Sequence, residues 1–389
     1  MSSASRVGTG PVDLLGLDEA TWRPHALHAA DRTWVETNCY IDVWTELLPA
    51  LGHPPEAALP FTVRQDFEGD HFTFFKYPLE DLQALFGLSV QELAIYDSVE
   101  AHTLEQLGRG HPVLIEVDSH WLPDAGPTYR KGHVKTTVAA VAIDPAARRF
   151  GYFHNTGFHT LQGADYDGLF QPPGAPGMFP YCEFVKRDGP GLTDEALTKA
   201  SLGLLKHHLA LRPKANPVAA WQTALPQHLE KLAARDMDYF HLYAFNLPRQ
   251  LGANFEMLGS HVFWLAERGV PGLSDVMTAC RRIAEGANSG LKYFISDERK
   301  GGAIGPPLDG VANTGVDTML RNILTPSAAM EPGYRTYRVT LRDGAVVDGF
   351  FVGEEADAIV VRVPGASDRR VPFQFRYRAE RGSRAAAPV

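Results

Sequence analysis

The chain has 389 residues, of which 44% are hydrophobic and 21% are charged, as is usual for a globular protein. Its net charge of −9 offers no overall electrostatic basis for binding nucleic acid or an anionic membrane. No apolar run approaches the roughly 20 residues that cross a bilayer, and the first residues lack a secretory signal pattern. We therefore expect neither nucleic acid nor a membrane as a partner.

The three cysteines, Cys39, Cys182 and Cys280, lie far apart and show no CxxC spacing. This spacing disfavours a disulfide framework or a structural zinc site, and it is typical of a protein in the reducing cytoplasm. The length allows two or three domains, each with its own core.

The first two parts of the chain differ in their periodicity. Residues 1–30 have few periodic apolar positions and are predicted to be irregular. In residues 31–190, segments with the apolar spacing of a helix alternate with segments typical of strands. This pattern predicts an α+β domain of helices packed on an antiparallel sheet. The predicted helices are 39–51, 79–88 and 98–110, and the predicted strands are 112–118, 133–144 and 148–155.

Residues 191–325 are predicted to form an all-helical domain. The helical periodicity covers 193–212, 217–235, 237–267 and 273–290. Pro248 should kink or split the third of these helices, because proline cannot donate a hydrogen bond within a helix. The Gly- and Pro-rich residues 298–315 are predicted to form a loop.

Residues 330–380 read as short strands separated by turn residues, with a hairpin signal at Asp343-Gly344. Their spacing suggests a small C-terminal β-barrel-like segment, SH3-like or Sm-like. It could be a solvated β surface or a surface that docks a partner.

Cys39 is the first residue that could carry chemistry. It follows the polar Asn38 and precedes an apolar set at helical spacing, so it lies at a predicted helix start. It could be a packed small hydrophobe. It could also be a nucleophile, because a helix N-terminus favours the thiolate that reacts.

His133 opens a predicted strand, and Asn155 lies on the returning strand of the same hairpin. The order Cys39, His133, Asn155 matches the catalytic residues of papain-like cysteine enzymes. The third position stays open at this stage. An ideal hairpin would put Asn155 a few positions away from His133, and His154, His159 or Asp144 could serve instead.

The oxyanion and substrate contacts are less defined. The N–H group of Cys39 is the natural donor to an oxyanion, with Asn38 and Thr37 as side-chain candidates and Asp118 as a further substrate contact. Papain-like enzymes place a glutamine upstream, where this chain has Thr33.

Two other kinds of site are conceivable. His120, His133, His154 and His159, with Asp118 and Asp124, could in principle bind a metal, but they lack HxH or HExxH spacing, so no metal and no cofactor is expected. Arg249 lies on a predicted helix, where it could be solvated or could contact an acidic partner or a phosphate.

Three blocks carry a resemblance: WVETNCYIDVWTELLPALG (34–52), DFEGDHFTFFKYPLEDLQALFG (66–87) and GHVKTTVAAVAIDPAARRFGYFHNTGF (132–158). They resemble a bacterial family that is distantly similar to butirosin biosynthesis protein H. The likeness covers about residues 30–325 and does not extend to the C-terminal β segment.

The resemblance implies a papain-like, C39-peptidase-like fold used for acyl transfer. The implied donor is an acyl, possibly aminoacyl, group on the phosphopantetheine of a carrier protein, since family members tend to occur near amino acid:carrier-protein ligases. Cys39 would accept the acyl group, His133 would be the base and Asn155 the third member. The acceptor would be a small-molecule or peptide amine, or a hydroxyl.

A carrier protein is acidic, so its docking surface should be basic. Arg130 and Lys131, beside His133, and Arg281 with Arg282 are the candidates. Two alternatives remain: a cysteine peptidase or amidase of the same fold, and a non-catalytic binding protein that retains it.

Overall fold

The computed structural model of the chain describes residues 10–170 and 180–297, together with four strands between 337 and 372. For 288–297 and for these strands it describes the backbone alone. The predicted loop at 298–315 and the Asp343-Gly344 turn lie outside the described residues.

The N-terminal part is an antiparallel sheet with helices on both faces. Its strands are β1 (Val12–Asp13), β2 (Leu88–Glu92), β3 (Val113–Asp118), β4 (Lys135–Asp144), β5 (Arg149–His154), β6 (Gly157–Gln162) and β7 (Cys182–Arg187). The order is β2-β7-β3-β4-β5-β6, and β1 pairs with β4. The helices of this part are α1 (Cys39–Ala50), α2 (Leu79–Phe86), α3 (Val99–Gly108) and α4 (Ala164–Phe170).

The middle part is helical. It consists of α5 (Asp194–Ala210), α6 (Pro217–Ala233), α7 (Met237–Asn246), α8 (Pro248–Glu267) and α9 (Ser274–Asp297). α8 packs on α9 and also on the short 3₁₀ turns Pro55–Ala58 and Pro60–Arg64 of the N-terminal part. The two parts therefore share one core rather than meeting through a linker alone.

α1 is the central element of that core. Ile41, Val43, Trp44 and Leu47 are fully buried, and the helix packs against β4 and β5 on one face of the sheet. Each such side chain gains roughly 1.5–3 kcal/mol from burial. The α1 face of β4 carries Thr137, Ala139 and Val141, because successive strand residues point to opposite faces.

The α+β class is confirmed, and every helix predicted between 39 and 290 is present. The split at Pro248 is also confirmed, since α7 ends at Asn246 and α8 begins at Pro248. Among the strands and α-helices of the described residues, β1, β2, β6, β7 and α4 were not predicted. β2 and β7 pair with each other across about ninety residues of chain, so no local hairpin signal marks them.

Near the C-terminus, the strands β8 (Tyr337–Thr340), β9 (Val346–Glu355), β10 (Ala358–Arg362) and β11 (Arg369–Pro372) form an antiparallel sheet in the order β11-β10-β9-β8. No pairing between β8 and β11 closes this sheet among the described residues, so the barrel stays a prediction. Within the part of the chain that the structure describes, no helix has the length and apolar character to span a membrane.

A buried ionic triad joins α1 to the segment that precedes it. The His28 ring contacts Glu46 through Nδ1 at 2.5 Å and Asp42 through Nε2 at 3.1 Å, and all three side chains are inaccessible to solvent. Burial opposes protonation of His28, but hydrogen bonds and charge interactions with Asp42 and Glu46 outweigh it and raise the pKa of His28 to about 9. The protonated ring therefore stabilises the folded chain.

We expect the free energy of unfolding to fall as pH rises. The contribution of His28 is complete below its unfolded pKa of 6.5 and is lost as pH passes about 9, because the folded state then gives up a proton that it binds more tightly. Across this pH window the free energy of unfolding should fall by about 3 kcal/mol. Urea unfolding across this pH window tests it. His28→Gln should be less stable near neutral pH and should show a flatter pH dependence; an unchanged slope in that variant would contradict the assignment.

Candidate active site

The start of α1 is fixed by Asn38. This residue is extended, and its Oδ1 accepts a hydrogen bond from the Ile41 N–H at 3.3 Å. Its Nδ2 donates to the Phe75 carbonyl at 2.7 Å. An asparagine amide can cap the helix and tie a neighbouring loop at once, because it carries both an acceptor and a donor. The helix consequently begins at Cys39, as predicted.

Cys39 is partly exposed, and its Sγ lies 3.4 Å from the Thr137 Oγ1 on β4. Among the described residues, no acceptor binds the N–H groups of Cys39 and Tyr40. Free N–H groups at a helix start carry a partial positive charge and can bind an oxyanion. The thiol thus lies beside two available donors.

His133 lies at the end of the sheet rather than at Cys39. The Ser119 N–H donates to the Val134 carbonyl, which continues the β3–β4 ladder toward His133. His133 has a 72% exposed side chain, and its ring stacks on His120 with centroids 4.4 Å apart.

His133 and Thr137 are four residues apart, which is about 13 Å along an extended strand. Within the described part of the chain, no hydrogen bond joins His133 to Cys39; the sulfur contacts Thr137 instead. The two candidate catalytic residues are therefore not brought together in this structure.

Asp118 orients the His133 ring. Its Oδ2 lies 2.6 Å from His133 Nδ1, and its Oδ1 accepts from the His120 N–H. Burial opposes ionisation of Asp118, but the hydrogen bonds from His133 and His120 outweigh it and lower its pKa. Asp118 was predicted to contact the substrate. In the structure it holds the His133 ring, which is the role that had been predicted for Asn155.

Asn155 is in a turn and not on a strand. β5 ends at His154, and Asn155 adopts a positive φ of 47° as the chain turns toward β6. An asparagine tolerates that left-handed conformation, which removes it from the β4–β5 ladder. It makes no hydrogen bond to His133.

The alternatives for the third position lie elsewhere. His154 bonds to Thr136 Oγ1 at 2.9 Å and to Asp124 Oδ2 at 2.5 Å. Thr136 and Thr137 are neighbours on β4 and point to opposite faces, so this row lies across the sheet from Cys39. Asp144 accepts a hydrogen bond from the Ala147 N–H in the β4–β5 turn.

Asp124 also connects to the remaining candidate. It accepts from the Tyr152 hydroxyl at 2.6 Å and lies 3.6 Å from His159 Nε2, which brings His159 to the same face as His154. Burial opposes ionisation of Asp124, but the hydrogen bond and charge of His154, with further contacts, lower its pKa. Thr136, His154 and Asp124 form a hydrogen-bonded row, largely shielded from solvent, that was not predicted from the sequence.

The segment before Cys39 is held by α8. Arg249 Nε donates to the Thr37 Oγ1 at 2.8 Å, and Gln250 Nε2 donates to the Thr37 carbonyl at 2.9 Å. Arg249, for which the sequence left two roles open, therefore fixes the approach to α1. Thr33 bonds to Glu256 of α8, away from the thiol. Thr37 and Asn38 are both held in structural hydrogen bonds.

A narrow, partly open cleft adjoins Thr137. It is lined by Tyr40, Lys76, Leu114, Glu116, Thr137, Tyr181 and Glu183. The cleft was not predicted, because its residues come from separate segments of the chain. The one sequence feature that could have indicated the cleft was Tyr40, which directly follows Cys39.

The histidine cluster divides into two separate groups. His120, His133 and Asp118 are together at one site, whereas His154, His159 and Asp124 are together at another. No group of three or more His, Cys, Asp or Glu side chains in the described ranges is arranged to hold a metal ion.

The four candidate docking residues are exposed. Arg130 stacks over the Trp121 ring at 4.4 Å and pairs with Asp165, which neutralises its charge. Lys131 follows it, and Arg281 and Arg282 lie on the solvent side of α9.

Comparison with known protein families agrees with this two-part architecture. The DUF1839 N-terminal domain matches residues 23–187, and the DUF1839 C-terminal domain matches residues 194–290. This chain belongs to the DUF1839 family. The matched ranges meet between the end of β7 and the start of α5. Strands β2–β7 with α1–α4 therefore correspond to the N-terminal domain, and α5–α8 with most of α9 correspond to the C-terminal domain.

No curated protein matches the chain. No named relative therefore links this DUF1839 protein to butirosin biosynthesis protein H.

Cys39 should be the reactive thiol of the folded protein. Burial raises the pKa of Cys182 and of Cys280 to about 12, and both side chains are nearly inaccessible. We expect iodoacetamide to add one carbamidomethyl group, at Cys39, by intact-mass measurement and peptide mapping. The Cys39→Ser variant should stay unmodified until it is unfolded. Earlier modification of Cys182 or Cys280 in the native wild type would contradict this.

Proposed function

We propose that this DUF1839 protein is a cysteine-dependent acyltransferase of papain-like fold. Cys39 takes an acyl or aminoacyl group from the phosphopantetheine thioester of a carrier protein and passes it to an amine or a hydroxyl. The observation that carries the proposal is the setting of Cys39. It is the partly exposed first residue of a buried helix, beside two N–H groups that bind no acceptor among the described residues.

The first step is thiol exchange. The Cys39 thiolate attacks the thioester carbonyl carbon, and the N–H groups of Cys39 and Tyr40 stabilise the negative oxygen. The bond from that carbon to the pantetheine sulfur then breaks. The pantetheine thiolate takes a proton from solvent, and acyl-Cys39 remains.

The second step is transfer to the acceptor. A neutral amine nitrogen attacks the acyl carbon, and the bond to the Cys39 sulfur breaks. The nitrogen loses a proton to solvent as the amide forms, and Cys39 returns to its thiolate. His133, oriented by Asp118, does not contact Cys39 in this structure, so the proposal assigns it no proton transfer at the thiol.

The contact between Cys39 and Thr137 favours a thioester over a peptide as the donor. An amine leaves a peptide only when it is protonated, which an imidazole beside the nucleophile does in cysteine and serine proteases. A thiol has a pKa of about 8.5 and can leave as the anion. A threonine hydroxyl beside Cys39 therefore suits thioester exchange better than it suits a peptidase or an amidase.

The same contact also favours a second candidate, a non-catalytic binding protein that keeps the fold. A thiol without an adjacent base is poorly activated for attack. The two candidates differ in one respect: only the acyltransferase passes through a covalent acyl-Cys39.

Intact-protein mass spectrometry tests the covalent intermediate. We expect the wild type to gain one acyl group after incubation with acyl-carrier or acyl-pantetheine thioesters, and hydroxylamine should remove it. Cys39→Ser should form no hydroxylamine-labile thioester adduct. Thr137→Val, which keeps the shape of the side chain but removes the hydroxyl, should be acylated more slowly. If no thioester modifies the wild type, a binding protein becomes the better explanation.

The carrier should dock on a basic surface that includes Arg281 and Arg282. Charge reversal at both positions should raise the KM for the carrier substrate about tenfold, because it opposes association with an acidic partner. Acylation by free acyl-pantetheine should not change. Lys231→Glu, on the exposed side of α6, is the matched control. An equal loss with acyl-pantetheine, or an equal effect in the control, would exclude this docking surface.

A further inference from the structure

Lys76 lines the cleft that adjoins Thr137, the residue that the Cys39 sulfur contacts. Its neighbours Phe75 and Tyr77 are buried, whereas Lys76 is exposed. Its Nζ lies 4.7 Å from the centroid of the Tyr40 ring and 4.5 Å from that of the Tyr181 ring. It has no carboxylate at ion-pair distance among the described residues. Two aromatic rings thus hold an ammonium group by cation–π attraction.

A buried carboxylate belongs to the same two tyrosines. Glu183 is 3% exposed, and it accepts hydrogen bonds from the hydroxyls of Tyr40 at 2.8 Å and Tyr181 at 2.6 Å. Burial and the charge of Glu183 raise the pKa of both phenols, so they remain neutral donors. Within the described ranges, no cationic side chain forms an ion pair with Glu183.

The other charges of the cleft compensate each other. Glu116 pairs with Lys135 at 3.0 Å. Lys76 and Glu183 are therefore the two charges of the cleft without a direct ion pair among the described residues. If the Lys76 side chain swings out into solvent, two ring faces and a buried negative charge remain. That arrangement suits another organic cation.

We infer that Tyr40, Tyr181 and Glu183 form a binding subsite for an alkylammonium group of the substrate, which enters by displacing the exposed Lys76 side chain. The part it plays in the reaction rests on the proposed acyl transfer at Cys39. The ammonium group could belong to an aminoacyl donor or to an acceptor that carries a second amine. Lys76 fills the subsite when no substrate is present.

Binding is tested first, without the chemistry of Cys39. The full chain carrying Cys39→Ala is compared with the same chain carrying Lys76→Ala as well, using ligand-observed NMR titration with n-butylammonium and its neutral analogue n-pentanol. We expect the Lys76→Ala chain to bind n-butylammonium about tenfold more tightly than the parent does, because the resident cation is gone, and about tenfold more tightly than it binds n-pentanol.

Adding Glu183→Gln should abolish that preference for the cation. If this variant loses its native circular dichroism, Tyr181→Leu takes its place, since Tyr181 is partly exposed. The inference is overturned if the Lys76→Ala chain does not bind n-butylammonium saturably, or binds n-pentanol equally well.

Two matched pairs then identify the source of the ammonium group, in chains that retain Cys39. β-Alanyl-pantetheine and propionyl-pantetheine differ only in the ammonium group, so faster acylation by the former indicates the donor. Likewise, faster clearance of acyl-Cys39 by 1,4-diaminobutane than by n-butylamine indicates the acceptor. Either preference should disappear in Glu183→Gln.

If neither pair differs, the subsite has no part in the reaction and the inference fails. If no thioester acylates Cys39, the proposed function fails, whereas the binding result still decides whether the subsite exists.

Discussion

The hydrogen bonds of the Asn38 side chain determine where α1 begins, and the geometry of the candidate site depends on that start. One end of the amide caps the helix through Ile41, and the other end holds the loop that carries Phe75. The loop in turn carries Lys76 to the cleft, and the first turn of α1 carries Cys39 and Tyr40. One side chain thereby sets Cys39, the backbone N–H groups that bind no acceptor among the described residues, and one wall of the cleft relative to each other.

The surrounding elements keep this helix start rigid. Arg249 and Gln250 of α8 hold Thr37, so the C-terminal DUF1839 domain supports the site without entering it. Behind α1, the buried triad of His28, Asp42 and Glu46 fixes the helix against the N-terminal segment. Such support is a usual feature of sites that must hold a precise geometry.

Local patterns predicted the long helices and strands β3–β5, whereas contacts between distant segments were not predictable. The helix at Cys39 follows from the polar cap and the apolar period, and the break at Pro248 follows from the missing N–H. The partner of Cys39 is decided by how α1 lies along β4, and that placement selects Thr137 instead of His133. No sequence spacing encodes this packing.

The same limit explains the third position and the cleft. Asn155 was expected on a strand, but its positive φ places it in the turn, which a hairpin pattern does not reveal. Glu183 reaches Tyr40 because β7 inserts beside β3, a pairing between segments about seventy residues apart. Asp118 was identified as a site residue, but its contact with His133 required the β3–β4 register.

The central claim is that Cys39 transfers an acyl group to an acceptor and does not catalyse hydrolysis. The most direct measurement isolates acyl-Cys39 and determines how it partitions between an added amine and solvent water. Acyl transfer predicts that the amine captures most of the acyl group and that amide product accumulates as acyl-Cys39 disappears. If water clears the intermediate equally fast at saturating amine, the protein is a hydrolase and the claim of acyl transfer is wrong.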